Sequence, residues 1–154
     1  MRKNISLLAI VGLALSGFSA NGQDKIDFEK QIWPFVKESC VGCHGPSYKD
    51  ERGRTRKPKA ALIITNKEAF LKGGENNEEE PTLTPGDPKK TAFLQRTHLD
   101  PSSDEAMPPE GKAEPWTDEQ KALFAKWVEQ GADFGSWEKS ELDDPEKYAA
   151  YKAK

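Results

Sequence analysis

The chain has 154 residues, 35% of them hydrophobic and 32% charged, and a formal charge of −3 at neutral pH. That length holds one domain with a thin core, although the apolar fraction lies above that of a disordered segment. The acidic balance argues against nucleic acid or an anionic membrane as partner.

At the N-terminus, Arg2 and Lys3 precede an apolar run from Ile5 to Leu15, and small or polar residues continue to Gly22. This is the layout of a secretory signal peptide, with small Ala20 and Gly22 ahead of the cleavage point. The organisation expected is a signal over 1–22, a domain over 23–137 and a loosely held tail over 138–154. Without residues 1–22, 21 basic residues face 26 acidic ones, a net −5. The apolar run is short for a membrane span, so membrane association is expected only if the segment is retained, and localisation is read as periplasmic or otherwise secreted.

From Asp24 to Cys43, Ile26, Phe28, Ile32, Phe35 and Val36 recur at helical spacing, with Asp27 as a candidate cap and Pro34 as a restart or a kink. This helix runs into Cys40-Val41-Gly42-Cys43-His44, which holds the chain's two cysteines and one of its two histidines. Two thiols three residues apart on one helical turn can each add to a haem vinyl group, and the adjacent imidazole then reaches the iron. The pattern therefore reads as the attachment site of one covalently bound haem c, through Cys40 and Cys43, with His44 as an axial ligand. A thioredoxin-like pair wants a βαβ context that is not seen, and a zinc finger wants a second ligand pair.

Residues 45–60 alternate glycine and proline with many charges and read as a solvated loop, basic over 49–59. Its bases serve solubility, a haem propionate or an acidic partner. Ala60 to Thr65 is extended or the edge of a helix, Asn66 to Leu71 is one or two helical turns stopped by Gly73-Gly74, and 75–80 is an exposed acidic loop. A turn at Thr84 to Pro88 leads into a short helix from Lys89 to Thr97. Thr117 and Gln120 fit a capping box for a helix presenting Leu123, Phe124, Trp127 and Val128 and stopping at Gly131.

Met107 and His98 are the candidates for the second axial position. Met107 is preferred, because Pro108 and Pro109 stiffen its loop and a lone methionine there is off any apolar face. His98, at the end of a short helix, has the pattern of a surface histidine.

These residues resemble a class I c-type cytochrome, and more closely the planctomycete-type cytochrome c domain. The resemblance runs from Phe28, Ile32 and Pro34 through Cys40, Cys43, His44 and Gly45, Gly73-Gly74 and Pro85-Gly86-Asp87-Pro88. It continues with Met107-Pro108-Pro109 and Trp127 to Ala132. It implies an all-α fold wrapped around the haem, in which the first and last helices pack together, with His44 and Met107 as axial ligands. The histidine's other N–H is then expected on a loop carbonyl, for which Pro58 is the candidate. The function implied is a secreted monohaem carrier of single electrons and not an enzyme. Its partners would be redox proteins: a dehydrogenase, another cytochrome or a terminal oxidase. The alternative reading is a haem enzyme or gas sensor with an open or displaceable distal site.

Overall fold

The computed structural model describes residues 24–154, so the signal segment 1–22 lies outside the described residues. The chain enters through Asp27, whose carboxylate accepts from the Lys30 N–H at 3.0 Å and caps a π-helical turn, Phe28–Ile32. Helix α1, Trp33–His44, follows directly with Pro34 in its first turn, so this proline restarts the helix where its missing N–H is no loss. Phe28, Ile32, Trp33, Phe35, Val36 and Val41 turn inward.

The all-α expectation is corrected by the next segment. The stretch read as a solvated loop folds into an antiparallel sheet of β1, Tyr48–Lys49, and β2, Thr55–Arg56, with Tyr48 opposite Arg56 and Lys49 opposite Thr55. The cause is local turn chemistry centred on Asp50. Its carboxylate accepts from the backbone N–H groups of Arg52 and Arg54, each at 3.0 Å, and from the side chains of Arg54 and Arg56, while Gly53 takes the left-handed turn position. The fold is therefore mixed, with helices joined by loops and one small sheet.

Helix α2, Lys67–Lys72, is capped by the Asn66 side chain on the Ala69 N–H at 2.8 Å and ends at Gly73. Helix α3, Ala92–Gln95, is a short α segment between two 3-10 turns and accounts for the helix read from Lys89 to Thr97. Helix α4, Asp118–Glu129, begins in the capping box of Thr117 and Gln120. It packs on the π-helical turn: the Phe28 ring lies 5.0 Å from Trp127, 4.5 Å from Phe134 and 4.8 Å from Trp137. Gln130 fixes this entry, accepting from the Ile26 N–H at 2.9 Å and donating to the Asp24 carbonyl.

The segment expected as a loose tail is packed into the domain. Ser140 donates its N–H to Thr65 at 2.8 Å, and the Asp143 carboxylate accepts from Thr65 and Asn66 at 2.7 Å each. Helix α5, Pro145–Lys152, is capped by Asp144 and buries Tyr148. Sequence spacing understated this region because its attachments are scattered, the buried Leu142 and Tyr148 among single polar anchors, and form no apolar stripe. Among the described residues no helix is long and apolar enough to cross a membrane.

Candidate functional site

The last turn of α1 carries Cys40, Cys43 and His44. A helix leaves its final carbonyls without partners of its own, and here distant segments supply them. Ile64 donates its N–H to the His44 carbonyl at 2.9 Å. The Tyr148 hydroxyl lies 2.8 Å from the Val41 carbonyl and 3.2 Å from that of Gly42, and the Lys152 ammonium donates to Gly42 at 2.7 Å. Tyr148 fits because residue 45 is glycine: a Cβ there would come within 2.3 Å of its ring.

This turn forms part of a cavity of about 600 Å³, within the range of small-molecule and cofactor sites. Cys40, Cys43 and His44 line it together with Phe93 and, from far downstream, Met107 and Pro109. Met107 is held by its backbone, whose N–H donates to the Arg96 carbonyl at 3.0 Å. The Arg96 guanidinium reaches the Glu80 carboxylate at 2.6 Å, so the acidic loop and the methionine loop share one anchor. His98 is exposed and does not line the cavity.

Cys40 is buried, which pushes its thiol up to about 12. Ser39 sits beside it: its hydroxyl donates to the Phe35 carbonyl at 2.7 Å, accepts from the Trp116 indole N–H at 2.7 Å, and lies 3.2 Å from the Cys40 sulfur. With the serine proton committed to Phe35, the thiol is the donor in that last contact. Cys43 is half-buried and free.

Burial lowers the pKa of His44, favouring the neutral imidazole that a metal requires. Its Nδ1 is enclosed without a hydrogen-bond partner, although backbone acceptors of Lys59 and Leu62 approach the ring. The backbone of Lys59 and Leu62 bears on the charge of this histidine, and no hydrogen bond to Pro58, which the sequence suggested, is found among the described residues. Lys59 and Leu62 are brought in by a tight turn, Lys59–Ala61, in which Ala60 and Ala61 both have φ of 51°, a left-handed conformation costing non-glycine residues roughly 1–2 kcal/mol each. Gly74 permits that turn, since a Cβ there would meet the Ala60 carbonyl oxygen at 2.7 Å.

The residues present fit a covalently held haem. Two free sulfurs, an imidazole with an orphaned buried nitrogen and a thioether share one largely apolar cavity. Since Nδ1 is the enclosed nitrogen, Nε2 is left for the cavity. Ser39, Arg96, Trp116 and Lys152 are contributors that sequence reasoning missed, because nothing in a one-dimensional pattern links them to the motif.

Residues 40–111 match the family model described as Planctomycete cytochrome C. The match opens at the first cysteine and takes in Met107, while α4 and α5 lie outside it. No curated protein and no solved structure matches the chain.

Proposed function

We propose, starting from the match of residues 40–111 to the planctomycete cytochrome C family, that this protein is a monohaem c-type cytochrome carrying single electrons between protein partners. The observation supporting this most directly is the gathering of Cys40, Cys43, His44 and Met107 around one cavity. Haem c, when bound, supplies a one-electron ferric/ferrous couple. Cys40 and Cys43 hold it as thioethers, and Cys40 stays a neutral thiol until then because burial opposes its ionisation. His44, through Nε2, and the Met107 sulfur would be the side chains that bind its iron.

An iron bound by both side chains would leave no position for a substrate, which suits transfer rather than catalysis. A dehydrogenase on one side and a second cytochrome or terminal oxidase on the other are the partners this chemistry suits. Removal of residues 1–22 on export delivers the chain to the periplasm or outside the cell, where covalent haem attachment and an oxidising environment coincide.

The test is visible absorption of the chain expressed with cytochrome maturation machinery, before and after denaturing extraction. Haem retained through extraction, with a weak far-red band in the oxidised protein that disappears in Met107→Ala, is the expected result. Retained haem without that band, together with ready carbon monoxide binding by the reduced protein, would replace the carrier by a sensor or enzyme. Colourless protein would remove haem from the account.

A further inference from the structure

Helix α5 lies outside the family match, yet it ends on the haem motif. Two of its side chains reach consecutive carbonyls in the last turn of α1, Tyr148 on Val41 and Lys152 on Gly42, and Tyr151, Lys152 and Lys154 contribute to the cavity lining. The two anchors differ in kind. Tyr148 is buried, packs edge-on against Tyr48 at 5.2 Å and fills the space left by Gly45, so it is a packing anchor with a neutral hydrogen bond. Lys152 is exposed, and its ammonium brings a full positive charge to the carbonyl that lies between the two cysteines in sequence.

We infer that Lys152 is a positioning and charge-setting residue that raises the reduction potential of a haem held by this motif. The argument rests on the functional reading above and on electrostatics. The C-terminal end of α1 carries the negative pole of the helix dipole beside His44, which favours the more positive, oxidised centre. A lysine cation on the Gly42 carbonyl offsets that pole. Since reduction removes one unit of positive charge from the centre, a neighbouring cation favours the reduced form. Lys112 and Lys154 on the same lining add to this field, while Glu38 and Glu75 oppose it. Lys152 is distinguished by its hydrogen bond to the motif itself, which holds its charge at a fixed place.

The experiment is spectroelectrochemical titration of haem-loaded wild type, Lys152→Met, Lys152→Arg and Tyr148→Phe. Lys152→Met keeps much of the apolar stem and loses the charge. It is expected to titrate at a lower midpoint at low ionic strength, with the difference narrowing in high salt as the exposed charge is screened. Lys152→Arg is expected to keep the wild-type midpoint. Tyr148→Phe is expected to keep it too and to melt earlier. Haem attached to Lys152→Met at an unchanged midpoint would overturn this inference alone, and so would a loss confined to melting temperature. Wild type isolated without attached haem would overturn the functional reading and this inference with it.

Discussion

Around Phe28, the rings of Trp33, Trp127, Phe134 and Trp137 lie with centroids 4.5 to 6.3 Å away. Around His44, by contrast, the chain builds walls: a helix end, a left-handed turn, a methionine loop and the rim of α5 line a cavity of about 600 Å³. The aromatic base is complete in itself, with each ring buried by the others. The base is thus held by ring-on-ring packing, whereas the motif borders a cavity of cofactor size.

Substitutions in the two halves separate these roles. Trp127→Ala should have the largest effect, about 3–5 kcal/mol for loss of a fully buried indole. It should appear equally in haem-free and haem-loaded protein by denaturant unfolding; a loss restricted to the loaded form would break the distinction. Gly45→Ala should cost about 1–3 kcal/mol by forcing its methyl into the Tyr148 ring, and the same change made in a Tyr148→Ala background should lower melting by much less. Trp116→Phe removes the indole donor to Ser39 and should cost about 1 kcal/mol. Because Ser39 also touches Cys40, the mass spectrum of loaded protein should show more chains attached through Cys43 alone.

His44→Leu sharpens the comparison from the other side. Nδ1 is buried without a partner, so an apolar residue of similar reach should change the stability of the haem-free chain by under about 1 kcal/mol. The same variant should lose the low-spin spectrum of the loaded protein. Smallest is the hairpin's contribution. Desolvation around Asp50 opposes ionisation, but the Arg54 N–H, the Arg54 and Arg56 guanidinium groups and the Arg52 N–H outweigh it and hold the carboxyl at about 2, below its usual 3.8. A depressed carboxyl contributes stability that is full above 3.8 and disappears as pH falls through about 2. Melting of wild type and Asp50→Asn should therefore converge as pH is lowered across that window.

Much of this was legible in advance. The capping box at Thr117 and the stop at Gly73 are local signals, set by hydrogen bonds within a few residues, and both appear in the structure, which also resolves the choice left open at Pro34 in favour of a restart. The hairpin was missed because its apolar alternation is absent; two-residue strands are held by one aspartate that reads, in sequence, as another surface charge. The packing of 138–154 was missed for a related reason: Tyr148 and Asp143 act through partners about a hundred and about eighty positions away respectively.

From the sequence alone came the Cys40-Val41-Gly42-Cys43-His44 pattern, the candidate ligands and the resemblance to the planctomycete cytochrome C family that the match over residues 40–111 supports, because spacing within one helical turn is itself a chemical constraint. What the tertiary structure decided was which distant groups meet that turn. It set Met107 on the cavity and His98 in solvent, brought Lys59 and Leu62 to the imidazole, and placed the cation of Lys152 on the Gly42 carbonyl. The reason is physical: a helix end fixes the orphan carbonyls that must be satisfied, but the three-dimensional path of the chain selects the donors that satisfy them.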